Sequence, residues 1–250
     1  MIILKTSREL TCMKHAGRIS QNALQIAGAL VKPGVSTWEV DKAAHDYIVG
    51  EGAIPTCLGY GGFPATCCIS VNDVVVHGIP SKKQILHEGD IVSIDLCATY
   101  EGFVGDNTWT FPCGKVSKEA QDLMDTTRES LFQGIEAAKA GNRIGDVGSA
   151  VQRYAEARGY SVVRNYTGHG VGANMHEDPS VPNYGTPGRG VRLLPGMVIA
   201  IEPMICQGTY EVKTLPDGWT TLTKDGKLAA HFEHTVAITE AGPVILTKGD

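Results

Sequence analysis

The chain has 250 residues, 42% of them hydrophobic, with a net charge of −5 and its Lys and Arg scattered along the length. These figures allow a full hydrophobic core. They exclude the basic footprint of a nucleic-acid or anionic-membrane binder and any apolar run near the ~18 residues of a membrane span. Seven cysteines, an odd count without a CxxC pair, read as reduced thiols in a cytosolic protein, and Met1-Ile2-Ile3-Leu4-Lys5 is too short for a signal peptide's apolar region.

Thr6-Ser7-Arg8-Glu9 has the form of a capping box. Leu10, Met13, Ile19, Leu24, Ile26 and Leu30 follow at roughly helical spacing until Pro33-Gly34 stops the run. Ser36-Thr37-Trp38-Glu39 repeats the signature and opens a second helix through Val40, Ala43, Tyr47 and Ile48 to Gly52. A loop rich in Gly and Cys spans residues 57–68, a strand region covers 69–77, and Gly78-Ile79-Pro80 forms a turn. Residues 91–99 and 103–111 read as two strands folded at Tyr100-Glu101-Gly102, which puts Asp95 and Asp106 on facing strands within about a residue pair of each other.

The second half replays this order. Leu123, Met124, Leu131, Ile135 and Ala138 mark a helix ending at Gly141, and residues 146–159 mark another with Val147, Val151 and Tyr154 on one face. Laid over residues 32–52 at an offset of 107, the segment matches at Lys139, Gly141, Val147, Ala150, Tyr154 and Gly159. At the same offset, Gly89-Asp90-Ile91-Val92-Ser93-Ile94-Asp95 matches Gly196-Met197-Val198-Ile199-Ala200-Ile201-Glu202: glycine, apolar run, then a carboxylate at the strand's end. An internal repeat follows, approximately 1–115 and 116–250 within one domain of 1–250. After Glu202 an insertion with Pro216-Asp217-Gly218-Trp219 separates the first strand from its partner at 231–238, where Glu233 is expected to face Glu202 as Asp106 faces Asp95.

A single strand-end acid is usually a cap or turn residue. One that recurs at the equivalent place has no such excuse, because burying it is costly without a cation. Four inward carboxylates repel one another unless cations lie between them. Oxygen-rich sites with some imidazole suit Mn, Fe, Co or Zn, and two ions sharing carboxylates and a water are a recurring hydrolytic device. Thr167-Gly168-His169-Gly170-Val171-Gly172 supplies an imidazole between glycines, where backbone is expected to crowd close to a metal. His176 follows, and Glu177 and Asp178 beside it read as a solvated loop or helix start; His77 precedes the Gly-Ile-Pro turn.

With Asp95, Asp106, His169, Glu202 and Glu233 in that order, the chain resembles the bacterial type I methionine aminopeptidases, members of the pita-bread metallopeptidases. Val76-His77-Gly78-Ile79-Pro80, Gly168 to Gly172, Ala200-Ile201-Glu202-Pro203, Cys57-Leu58-Gly59-Tyr60 and Cys68-Ile69-Ser70-Val71-Asn72 carry the resemblance along the whole chain. It implies an α+β pita-bread fold: a pseudo-two-fold repeat of helix-helix-hairpin units forming a curved, mainly antiparallel sheet with helices on its outer face. It implies removal of the initiator methionine from nascent polypeptides with a small second residue, through a water activated by two divalent ions. Asp95 would hold one metal, Asp106 and Glu233 would bridge both, and His169 and Glu202 would complete the other's shell. Glu202 would also accept the water's proton, and His77 and His176 would contact the substrate and the tetrahedral intermediate.

Cys57, Tyr60, Phe63, Cys68, Met175 and Trp219 match positions lining the methionine pocket. Gly61 and Phe63 stand where some members carry His and Tyr, and Met175 where Phe is also found, which leaves second-residue preference open. The resemblance further implies a monovalent cation, Na or K, near Asn72 and Val74, and action in the cytoplasm on peptide N-termini. Ribosome docking suits that activity but has no visible motif, and no long apolar stripe calls for a second subunit. An X-Pro aminopeptidase or prolidase, or a non-catalytic binding module on the same scaffold, are the alternatives; modules of that kind typically lose ligands, and none is missing here.

Overall fold

The Thr6 hydroxyl accepts the Glu9 N–H at 3.4 Å while the Glu9 carboxylate accepts the Thr6 N–H at 2.7 Å, closing the capping box that starts α1 (Ser7–Ala29). Ser36 and Glu39 make the same reciprocal pair, at 3.3 and 2.8 Å, ahead of α2 (Thr37–Gly50). These contacts satisfy amide donors that a helix start otherwise leaves open. The computed structural model describes residues 1–249. After α2 come β1 (Ile54–Pro55), β2 (Cys67–Val71), β3 (Val74–Val76) and a long hairpin of β4 (Ile91–Tyr100) and β5 (Phe103–Pro112). Helices α3 (Lys118–Ala137) and α4 (Ile144–Glu156) open the second half, followed by β6 (Ser161–Val162), β7 (Gly168–Gly170), β8 (Glu177–Val181) and β9 (Val198–Ile201). The chain then forms β10 (Met204–Cys206), β11 (Val212–Thr214), β12 (Thr221–Thr223), β13 (Ala229–His231), β14 (Glu233–Thr239) and β15 (Gly242–Ile245). The starts of α4 and β9 lie 107 residues after those of α2 and β4, the offset of the sequence repeat.

A nine-stranded sheet runs β1-β4-β5-β14-β9-β7-β8, with β2 also pairing β4 and β15 pairing β14; every pair in it is antiparallel. Side chains alternate across this sheet as the pleat requires. On β4, Val92, Ile94, Leu96 and Ala98 join Leu24, Val40 and Ile48 of α1 and α2 in one buried cluster. Ile199, Ile201, Val236 and Ile238 join Leu131, Val147 and Val151 of α3 and α4 in another. Each helix pair therefore covers the sheet strands of its own half, and the opposite sheet face is left for the intervening residues.

One sequence expectation is refined and one is corrected. The strand region at 69–77 divides into two strands: Asn72 takes a left-handed conformation (φ 57°), its side-chain amide donates to Asp90 at 2.8 Å, and its side-chain oxygen accepts the Ile91 N–H. Asparagine tolerates that conformation, so β3 turns away into a separate sheet with β12 and β11. Asp95 is also not at a strand end. It lies mid-strand, opposite Thr108, while Asp106 lies opposite Cys97, so the two acids share one face, offset by two residues.

Helix and sheet approach closely at Gly105 of β5. A Cβ there would come within 2.3 Å of the Gly17 N and 2.5 Å of the Ala16 carbonyl carbon, both backbone atoms of α1. No side-chain rotation relieves that contact, so Gly105→Ala must displace α1. The variant should lose about 1–3 kcal/mol of stability, read as a lower urea midpoint; an unchanged midpoint would contradict this packing.

Candidate metal centre

The register of the central strands brings the acids together. Asp95 pairs with Thr108, Thr108 pairs with Glu233, and His234 pairs with Ile201, which sets Glu233 beside Glu202 just beyond the end of β9. One face of four adjacent strands thus carries all four carboxylates. His169, on β7 next to β9, adds an imidazole whose Nε2 lies 3.4 Å from Glu202 Oε1 and 3.7 Å from Asp106 Oδ2. Ligand atoms of Asp106, His169 and Glu233 lie within 4.8 Å of one another, as do those of Asp95, Cys97 and Asp106.

The donor set fits a cation. His169 Nδ1 is 2.9 Å from the Gly170 carbonyl, which makes Nδ1 the protonated nitrogen and aims the Nε2 lone pair at the carboxylates. A lone pair facing carboxylates is repulsive unless a cation or proton intervenes. Glu233 Oε2 accepts from the Thr108 hydroxyl at 2.8 Å, while its buried Oε1 has no partner. Burial, then the charge of Asp95, pushes the Asp106 and Glu202 carboxyls well above the usual range; burial, then Asp106 and the other acids, does the same to Glu233. Burial also raises Asp95, against the opposing pull of His231 and Thr108. The imidazoles move the other way: burial takes His169, His77 and His231 down to about 4, and lowers His176. Neutral imidazoles and crowded carboxyls are the protonation states that a divalent ion exchanges for its own charge.

The cavity around this cluster has a volume of about 220 Å³ and is lined by the expected ligands Asp95, Asp106, His169, Glu202 and Glu233, by His77 and His176, and by Cys57, Tyr60, Phe63, Cys68, Met175 and Trp219. His176 Nδ1 is 2.7 Å from the Tyr60 hydroxyl, and its ring packs 4.2 Å from that of His169, centroid to centroid. His77 has φ 59°, rare for a residue with a Cβ, and its ring meets Tyr166 and Trp219 edge-on. Trp219 arrives on the turn between β11 and β12 and also meets Phe63 edge-on at 5.2 Å. Gly61 lies against it, with room for a Cβ only 3.3 Å from the indole, so a larger residue there would shift Trp219.

Some expectations change here. The glycines flanking His169 serve strand packing, not metal approach: a Cβ at Gly168 would sit 2.2 Å from the Ala200 carbonyl oxygen, and one at Gly170 would sit 2.2 Å from that of Asp178. Glu177 is not solvated. Its carboxylate and the Lys5 ammonium form an ion pair at 2.5 Å with both side chains buried, while Asp178 is exposed and meets the Met1 amine. Cys97, Thr167, Met204 and His231 also line the cavity. Each lies two positions from a carboxylate or imidazole of the cluster, so strand alternation, applied outward from Asp95, His169, Glu202 and Glu233, could have found them. Val76 and Tyr166 also line it and carry no such signal.

The model of metallopeptidase family M24 matches residues 11–240. The methionine aminopeptidase of Clostridium acetobutylicum is 53% identical over 247 residues, covering 99% of both chains, and methionine aminopeptidase 1 of Bacillus subtilis is 50% identical over 248 residues, covering 99% of this chain and all of that one. The crystal structure of methionine aminopeptidase from Thermotoga maritima superposes with a TM-score of 0.98 at 45% identity, covering 99% of this chain and 100% of that one. A fold shared from end to end and a family model spanning nearly the whole sequence lead to one assignment: the chain belongs to metallopeptidase family M24.

Proposed function

We infer that this chain is a metal-dependent methionine aminopeptidase that removes the initiator methionine from nascent polypeptides with a small second residue. The observation that carries this is the single cavity in which four carboxylates and His169 meet a thiol-aromatic wall. Asp95, Asp106, His169, Glu202 and Glu233 would hold two divalent ions, with Co, Mn, Fe or Zn chosen by availability. Such ions, when bound, lower the pKa of water and polarise a carbonyl.

The protein's own groups account for the rest. A free α-amine would be anchored where Asp95, Asp106, His169, Glu202 and Glu233 hold the ions, which favours cleavage from the N-terminus. Glu202, lining the cavity beside His169, would be the group to receive a proton from the attacking water. His176, with Nδ1 engaged by Tyr60, has Nε2 left to donate to the oxyanion, and neutral His77, which lines the same cavity, would be a second donor. Cys57, Cys68, Met175, Phe63, Tyr60 and Trp219 form a soft, polarizable wall suited to a thioether. A monovalent cation at the Asn72 and Val74 carbonyls belongs to the same reading; the Asn72 carbonyl accepts the Ala229 N–H at 2.9 Å and retains a second lone pair. So do action in the cytoplasm, a monomeric state and one catalytic domain across both halves.

Purified protein supplied with Mn²⁺, Co²⁺ or Fe²⁺ should release methionine from Met-Gly and Met-Ala peptides; faster cleavage of X-Pro peptides, or no release under any of these ions, would overturn the assignment. Glu202→Gln should lower kcat/KM by about 10²–10⁴-fold, and wild-type turnover would remove Glu202 from its role. His77→Ala should slow kcat while metal content, measured by elemental analysis, stays at the wild-type level. Loss of metal in that variant would make His77 a ligand instead.

A further inference from the structure

His231 lies at the end of β13, paired with Met204, two residues beyond Glu202. Its backbone is held on both sides by one hydroxyl: the His231 N–H donates to Thr110 Oγ1 at 3.0 Å, and its carbonyl accepts from the same oxygen at 2.8 Å. The side chain is only 3% exposed, and Nε2 is fully buried without a hydrogen-bond partner. A buried polar atom left open in this way calls for an explanation. The acidic atom beside it is Glu202 Oε2, at 3.6 Å, just beyond hydrogen-bond range.

Glu202 therefore has an imidazole at each oxygen, His169 at Oε1 and His231 at Oε2. The two are not equivalent. His169 spends its N–H on the Gly170 carbonyl and offers Glu202 a lone pair. Asn183 donates to Glu202, but to the backbone carbonyl. Of these two imidazoles, His231 is the one whose nitrogen facing the carboxylate is free to carry the ring proton.

We propose that His231 is a positioning residue for the metal centre: its Nε2–H donates to Glu202 Oε2 and so turns Oε1 toward His169 and the ion. This rests on the reading of Glu202 as a ligand. Orienting partners of this kind fix the geometry of the group that touches the metal. The position needs a neutral N–H at that reach, and a glutamine amide supplies one as well.

The test compares His231→Leu with His231→Gln in the full chain, stripped of metal and titrated calorimetrically with Mn²⁺, with thermal midpoints recorded to establish folding. The Leu variant should bind Mn²⁺ about 10–100-fold more weakly, with Gln restoring affinity to within about threefold of wild type. Wild-type affinity in the Leu variant overturns the proposal, as does equal loss in both variants, which would point to shape or direct ligation instead of a donated hydrogen bond. If the Leu variant does not fold, His231→Asn, whose amide is one methylene too short, takes its place with the same expected loss. Glu202→Ala is the separate control: wild-type affinity there would sink the ligand reading of Glu202 itself, independently of the His231 variants.

Discussion

Everything in this molecule is arranged around the crowding of four carboxylates on one buried face of the sheet. Taken out of water and set against each other, they are disfavoured as anions, and their raised proton affinity records that disfavour. A protein that retains such a cluster needs positive charge within it, supplied by protons or by metal ions. Removing one acid would ease the repulsion and would also take a donor from any cation held among them.

The sheet makes the crowding possible because its two faces do different work. On β4 the even-numbered positions join the core under α1 and α2, while Asp95 and Cys97 line the cavity. On β14, Val236 and Ile238 pack beneath α3 and α4, and Glu233 faces the acids. The hydrophobic face gives the strands their register, and that register sets the spacing of the polar face. A one-residue slip of β5 would put Asp106 under the helices and destroy both at once.

The loop carrying His176 is fixed by a different device. The Lys5 N–H donates to the Gly196 carbonyl at 2.7 Å, and the Lys5 ammonium meets the Glu177 carboxylate in a buried pair. The other Glu177 oxygen accepts the Asn174 N–H at 3.2 Å. A buried ion pair of this kind adds little net stability, because desolvation offsets the attraction. It does hold position: the N-terminal arm pins the residue adjoining His176, and Tyr60 holds the ring from the other side. The His176 loop is thus held by two segments of the first half, the N-terminal arm and the loop carrying Tyr60.

Local chemistry was legible in the sequence wherever one residue acts on its near neighbours. The capping boxes at Thr6 and Ser36, the hairpin turned at Tyr100-Glu101-Gly102 and the 107-residue echo between Asp95 and Glu202 all rest on short spacings or direct repetition. The five residues expected to hold metal and the six expected to form the pocket wall rest on motifs, and they line one cavity. Contacts made across the fold were not legible. The buried state of Glu177 depends on Lys5, 172 residues away, and the glycines beside His169 answer to the Ala200 and Asp178 carbonyls on neighbouring strands. His231 has no motif of its own, and only the pairing of β13 with β10 sets its ring beside Glu202. Spacing along a chain determines which residues share a helix or a strand face; which atoms meet from distant segments is decided by packing and register, and those exist only once the sheet has formed.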